Sequence, residues 1–267
     1  MIKFFRRIRQ NLINTLPAGR FSKYFLYAIG EIVLVVIGIL IALQINNWNE
    51  YRKERAEEQK ILKQLKKEYT QNLRQLDEKI DMRNKMSAAS DLLLSYLDEP
   101  RPIEADSLLY CIFRLSQDPT FDPIQNDIMT SGKLRLIEND SIAEMLSNWT
   151  SDAYQVQEIE KGWQQIRVRN YDPVLLKSRL IRNMTANILN SGYSPNHALD
   201  KQDTIRYHIT KNDIDIPQTV LDYRTELESM ASACILFNNI TNIQAFALRK
   251  RIIRLLALIE MELDENV

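Results

Sequence analysis

The apolar positions of the chain follow two different patterns. Residues 32–43 form an unbroken apolar run, and the wider stretch around it is long enough to cross about 30 Å of hydrocarbon as a helix. Tyr24 and Tyr27 precede the run and Trp48 follows it, where aromatic rings favour the membrane–water boundary. Globular helices usually keep a polar face, and this run has none. The pattern therefore predicts a transmembrane helix over residues 25–47.

After Trp48 the apolar residues recur at helical spacing. Between Leu62 and Ile80 they return about every 3.6 residues, the period of an amphipathic helix rather than of a coiled-coil seam. In a later helix the apolar stripe passes through either Ile159 or Glu160. The first and last long helices are expected to pack together. Periodicity and helix-start signals predict helices over residues 49–98, 105–116, 122–132, 141–170, 172–189 and 218–264.

One region lacks helical periodicity. Residues 190–217 contain Gly192, Pro195 and Pro217, and the alternating segment 204–210 (TIRYHIT) is typical of a short strand. The predicted fold class is all-α, with one N-terminal transmembrane helix followed by a long-helix bundle that contains this irregular region. The predicted organisation is 1–24 basic tail, 25–47 transmembrane helix and 48–267 helical domain.

The charges around the apolar run predict its orientation. Residues 1–26 carry six basic residues and no acidic one, whereas the segment after Trp48 mixes both signs. By the positive-inside rule the N-terminus is expected in the cytoplasm and residues 48–267 outside it. No Ala-x-Ala pattern follows the apolar core, which favours an uncleaved signal anchor over a cleaved signal peptide.

Three residues of the run share one helical face. Glu31, Gly38 and Ala42 lie at i, i+7 and i+11, and the last two form a small-xxx-small pair that allows close approach of a second helix. A carboxylate within a membrane tends to face a partner. This face is therefore a candidate interface with a second copy or with another membrane protein. The alternative places Glu31 near the cytoplasmic boundary, within reach of water or of Lys23.

Three segments carry a resemblance to a known family. They are residues 23–54 (KYFLYAIGEIVLVVIGILIALQINNWNEYRKE), 121–140 (FDPIQNDIMTSGKLRLIEND) and 255–265 (LLALIEMELDE). In them the chain resembles a family of uncharacterised single-span proteins from Gram-negative bacteria, known only as a domain of unknown function. The resemblance implies a membrane anchor on an α-helical domain, and hence a location in the inner membrane. It implies no catalytic residues, because none is assigned in the family.

The balance of charged residues restricts the classes of partner that the sequence predicts. The 35 basic residues balance the 35 acidic ones, so no global charge favours nucleic acid. The lipid bilayer remains as the expected partner. Cys111 and Cys234 both lie in apolar helical patterns and are expected to be buried, and the sequence leaves open whether they pair. Arg249, Lys250, Arg251 and Arg254 form a basic cluster that is either a solvated helix face or a patch for acidic or lipid groups.

The motifs of common enzymes and cofactor sites are missing from the sequence. It has no Gly-rich phosphate loop, no CxxC, no HExxH and no GxSxG. A metal site at the two histidines is imaginable, but their spacing to the nearby carboxylates is not diagnostic. These histidines and carboxylates are His197, His208, Asp200, Asp203, Asp213 and Asp215. We therefore predict no enzyme, no cofactor and no metal, and a membrane-anchored scaffold or protein-interaction module. The alternative is an extracytoplasmic ligand sensor that acts through a partner.

Overall fold

The computed structural model describes residues 20–124, 128, 131–190 and 208–264, with the side chains of 20–24, 26 and 264 excepted. Within these residues the regular structure is helical and contains no strand, which confirms the predicted all-α class. A 3-10 helix covers Lys133–Leu136 and a π-helical turn covers Arg167–Tyr171. The α-helices are α1 Arg20–Asp98, α2 Ala105–Leu115, α3 Asp140–Ile166, α4 Asp172–Lys177, α5 Leu180–Asn190, α6 Ile216–Asp222 and α7 Arg224–Asp264.

The chain divides into two compact units, residues 1–60 and 61–267. In the first unit, α1 is helical from Arg20, and its apolar segment is long and apolar enough to span a membrane. Every described side chain from residue 25 to residue 47 is exposed in the protein alone. Such a surface is expected of a helix whose solvent is hydrocarbon, since apolar side chains in water would be buried.

The second unit is built on α7, which runs antiparallel to residues 61–98 of α1. Contacts between the two helices join Arg83 to Asn242, Asp77 to Arg249 and Lys66 to Glu260, at 2.7, 2.7 and 3.0 Å. Residue numbers rise along α1 as they fall along α7, so the two helices run in opposite directions. The expected packing of the first long helix against the last is confirmed.

Helix α3 is the third long helix of this unit and packs against α7. It also runs antiparallel to α7, because Asn139 at its start binds Glu262 while Asp152, further along it, pairs with Arg251. The two helices approach closely at Gly162, where an added Cβ would lie 3.1 Å from the ring of Phe237. The Asn139 side chain caps the start of α3, because it accepts hydrogen bonds from the backbone amides of Ser141 and Ile142.

Two apolar clusters fill this unit, and polar residues lie between them. The first cluster combines residues 61–80 of α1 with 142–156 of α3 and 245–259 of α7. The second combines residues 86–97 of α1 with α2 and with segments between 163 and 234. Burying each leucine or isoleucine side chain in such clusters stabilises the fold by about 1.5–3 kcal/mol.

Several predicted boundaries are wrong. Residues 121–124 are not helical, so no helix begins at Asp122-Pro123, and part of the predicted helix up to Gly132 lies outside the described residues. The helix predicted over 172–189 breaks at Arg179, whose positive φ of 62° turns the chain between α4 and α5. The predicted strand over 204–210 is not formed at residues 208–210, and its remainder lies outside the described residues.

Candidate functional site

The outward side of α7, opposite to its buried residues, is an exposed apolar surface of residues 61–267, which we call the helical unit. It carries four apolar side chains spaced three or four residues apart, which we call the α7 patch. Their exposed fractions are 56% for Leu236, 41% for Ile240, 67% for Ile243 and 46% for Phe246. Single exposed apolar residues are ordinary, but a contiguous row of them on one helix is typical of an interaction site.

The inward side of α7 is apolar as well. Residues such as Cys234, Ala245, Leu248 and Ile252 are buried in the two clusters, and this side accounts for the packing of the helix against α1 and α3. The four residues of the α7 patch belong to neither cluster, and 41–67% of their surface is exposed. Packing within this unit therefore does not fully account for their apolar character.

The charges beside the α7 patch are one-sided. From Ser229 to Ile259 the sequence contains no acidic residue and four basic ones. Arg249 pairs with Asp77, and the hydrogen bond that it donates to this carboxylate raises the pKa of Arg249. Arg251 pairs with Asp152. The other two, Lys250 and Arg254, are exposed and have no acidic partner among the described residues.

The basic cluster therefore contains two kinds of residue. Two of its members hold α7 to its neighbours, as a structural helix face would. Lys250 and Arg254 lie at one end of the α7 patch and remain available for an acidic group.

A groove with a volume of about 450 Å³ lies between α3 and α7. Tyr69 and Trp149 line it, their rings packed edge to face with centroids 4.8 Å apart. The Trp149 Nε1–H is buried and has no hydrogen-bond partner among the described residues. Around them lie Ser141, Glu144, Met145, Asn148, Asp152, Arg251, Ile252, Arg254 and Leu255. The groove can therefore accept a compound with an apolar body and a charged end.

The predicted membrane face lies in the first unit. Glu31, Gly38 and Ala42 are all exposed, and helical geometry places them along one side of α1. A Cβ added to Gly38 would meet no atom within 4 Å. The chain itself thus gives no packing reason for a glycine at that position. Whether the face binds a second helix stays a prediction.

A buried ion pair of Arg83 and Glu160 lies between the two apolar clusters. The apolar periodicity of the sequence did not predict it. Arg83 Nη1 donates to Glu160 Oε1 at 2.6 Å, and the backbone N–H of Phe121 donates to Glu160 Oε2 at 2.9 Å. Arg83 also donates to Asn242 and to the carbonyl oxygen of Pro119. Burial raises the pKa of Glu160 and lowers that of Arg83, while each partner opposes the change in the other.

This ion pair joins the three long helices but is not a reaction centre. Both side chains are almost fully inaccessible, so no substrate could reach them without opening the bundle. The sequence signal that could have revealed it is the position of Arg83 within an apolar stripe, together with the choice between Ile159 and Glu160.

The remaining residues that could bind a metal ion or act as nucleophiles do not form a site among the described residues. Among the described residues no group of three His, Cys, Asp or Glu side chains could hold a metal ion. His208 is exposed, and His197, Asp200 and Asp203 lie outside the described residues. Cys111 and Cys234 are free and buried, and burial raises the pKa of each thiol to about 11. Neither is a reactive nucleophile at neutral pH.

Comparison with known proteins adds one match. No curated protein and no solved structure matches the chain. A match to one protein-family model agrees with the resemblance to an uncharacterised family. It covers part of α1, all of α2 and much of α3, but not α7. Residues 31–157, just under half of the chain, match a protein family described as a family of unknown function (DUF6090), which supports an uncharacterised domain there.

Proposed function

We propose that the protein is a single-pass membrane protein whose helical domain serves as a protein-interaction module or scaffold. The α7 patch is the observation that carries this proposal. It is an exposed apolar row on the side of α7 opposite to the residues that are buried in the two apolar clusters. The proposal assigns the chain no catalytic activity.

The proposed location is the inner membrane of a bacterial cell, with the bilayer as one partner. The apolar segment of α1 supports an anchor, and the basic residues before it support a cytoplasmic N-terminus. Protease added to intact spheroplasts should then remove residues 48–267 as an accessible domain. A protected domain would reverse the orientation.

Association through the membrane is part of the proposal. The face of Glu31, Gly38 and Ala42 would bind a second copy or another membrane protein, because small residues allow two backbones to approach closely. In a reporter of membrane-helix association that carries residues 21–49, Gly38→Leu should weaken association. Val36→Leu, on a different side of the helix, should leave it unchanged. Equal effects of the two substitutions would show that the face is not an interface.

The central test of the interaction module uses two matched variants. Ile243 and Leu176 are exposed to nearly the same extent, 67% and 65%, but only Ile243 belongs to the α7 patch. Proteins that copurify with the full chain after mild detergent extraction should be lost with Ile243→Asp and kept with Leu176→Asp. Identical sets of copurifying proteins for the two variants would contradict an interaction role for the α7 patch.

The groove between α3 and α7 favours a second candidate function, ligand sensing through a partner. Its volume of about 450 Å³ lies within the range of small-molecule sites. The anionic aromatic dye 8-anilinonaphthalene-1-sulfonate is a suitable probe, because Arg254 borders aromatic surface there. Saturable binding that weakens at least tenfold in Arg254→Met, but not in Lys250→Met, would support this function. Equal binding by both variants would contradict it.

A further inference from the structure

We propose that the occupant of the α7 patch is an acidic amphipathic α-helix of a partner protein. This inference rests on the proposed interaction function and adds the chemistry of the partner. It predicts four apolar residues spaced three or four apart on the partner helix, and two acidic residues about one turn apart at one end of that row.

The shape of the patch indicates a helix. From Leu236 to Phe246 the apolar row extends about 15 Å along α7, at the rise of 1.5 Å per residue. A row of side chains spaced three or four residues apart forms a ridge that fits the groove between the corresponding rows of a second helix. Amphipathic helices bind through anchors at this same spacing.

The charge of the patch indicates acidic residues on that helix. Lys250 and Arg254 follow the apolar row by one and two turns and have no acidic partner among the described residues. Carboxylates at the matching end of the partner would neutralise both. Charges at the edge of an interface mainly set its specificity and its association rate, so they discriminate an acidic from a basic helix.

A second copy of the chain fits less well. A copy docked parallel to α7 would place Lys250 and Arg254 against their own counterparts, with no acid between Ser229 and Ile259 to separate them. In an antiparallel copy centred on the patch, Arg254 falls opposite Glu228, but Lys250 falls opposite Ser232. A second copy thus neutralises one of the two charges at best.

A lipid surface also fits less well. Helices that lie on membranes carry many basic residues on the polar face along the length of the apolar one. Here the basic residues stand at one end of the row, and the residues within it are uncharged ones such as Asn239 and Gln244.

The first test uses the full chain in lipid nanodiscs and two synthetic helical peptides. Both peptides carry leucine at the four anchor positions, and they differ only in having two glutamates or two lysines at the charged end. By fluorescence anisotropy, and after subtraction of binding to empty nanodiscs, the acidic peptide should bind at least tenfold tighter. Lys250→Glu/Arg254→Glu should reverse this preference, Ile243→Asp should abolish binding of both peptides, and Leu176→Asp should change neither.

These variants change exposed residues, so loss of folding does not confuse the result, and helix content by circular dichroism verifies this. Equal affinity for the two peptides, or a preference that survives the charge reversal, would overturn the inference.

The second test places a photo-crosslinking amino acid at position 243 of the full chain in native membranes. A crosslink to an acidic amphipathic helix of another protein, located by mass spectrometry, would support the inference. A crosslink to a segment without acidic residues would overturn it and leave the proposed interaction function standing. Crosslinks only to a second copy or to lipid would overturn it too. No crosslink at all, with neither peptide bound, would overturn both.

Discussion

The two sides of α7 differ in what their apolar residues contact. On the inward side, residues such as Leu255 and Ile252 pack against α1 and α3 and are almost fully buried. On the outward side, Ile243 and Ile253 belong to neither apolar cluster, and 67% and 42% of their surface is exposed. The same kind of side chain thus stabilises the fold much more on the inward side than on the outward side. Because the outward residues gain less from folding, a role in binding is the further reason for their apolar character.

The comparison predicts a large loss of stability when Leu255 is replaced by aspartate and a small one when Ile253, two residues away, is replaced. Leu255→Asp should destabilise the helical unit by about 4 kcal/mol or more, because it buries an unpaired charge. Ile253→Asp should change the free energy of unfolding by no more than about 0.5 kcal/mol, since its side chain already meets water. Urea denaturation of the two full-length variants measures both values. Similar losses would mean that the outward side is also packed.

Loss of the buried ion pair between Arg83 and Glu160 should have the next largest effect on stability. Arg83→Met leaves Glu160 buried without its partner and should cost about 3–5 kcal/mol. The cost should be smaller at pH 5 than at pH 8. Burial raises the pKa of Glu160, so the folded state holds its proton to higher pH than the unfolded state does. The linked stability is therefore present at low pH and is lost as the pH rises through the folded pKa.

Denaturation of Arg83→Met at the two pH values measures this dependence. The double variant Arg83→Met/Glu160→Met is the control, and it should lose less stability than Arg83→Met, because no unpaired charge remains. A larger loss in the double variant would contradict the assignment of the cost to the buried carboxylate.

The reaction rates of cysteine thiols on the inward and outward sides of α7 allow a direct comparison of the two sides. Cys234 is fully buried on the inward side, and its pKa is raised to about 11. At pH 8 its thiolate fraction is then lower than that of an ordinary cysteine by about a hundredfold, since each pKa unit changes that fraction tenfold. A cysteine introduced by Ile243→Cys should therefore react with a disulfide reagent at least a hundredfold faster than Cys234 in the folded protein. Comparable rates would show that the inward side opens readily.

The smallest expected difference is between two asparagines. Asn139 caps α3 and binds Glu262 of α7, so Asn139→Ala should cost about 1 kcal/mol. Asn239 lies exposed on the outward side, and among the described residues it bonds only to the carbonyl oxygen of Ile235 in its own helix. Asn239→Ala should leave thermal stability unchanged or slightly improved, because alanine favours the helix. A loss with Asn239→Ala equal to that with Asn139→Ala would contradict the distinction.

The long helices were accessible to sequence reasoning because their signals are local. The period of apolar residues from Leu62 to Ile80 predicts the helical unit's part of α1, and Asn139 marks the start of α3. The break at Arg179 was not predictable in this way. Its carbonyl accepts a bond from Asn212, a residue distant in sequence, and the amphipathic pattern around Arg179 continues without interruption.

Residues that depend on tertiary partners were also missed. The segment at Asp122-Pro123 has a good local helix start, yet the backbone of Phe121 and Ile124 bonds to Glu160 and Asn72 instead. The α7 patch was missed because the periodicity identifies only the better packed side of a helix. Apolar residues away from the stripe, within a segment free of acids, were the available signal.

The layer of Arg83, Glu160 and Asn242 also limits where the chain can gain or lose residues. One residue inserted into α1 between the first apolar cluster and Arg83 would rotate one part of the helix against the other by about 100°. Either the cluster or the guanidinium would then leave its place. To keep both, α3 and α7 would have to lengthen at the same level. Insertions and deletions should therefore be tolerated in connecting segments such as residues 99–104, and should be rejected within the three long helices.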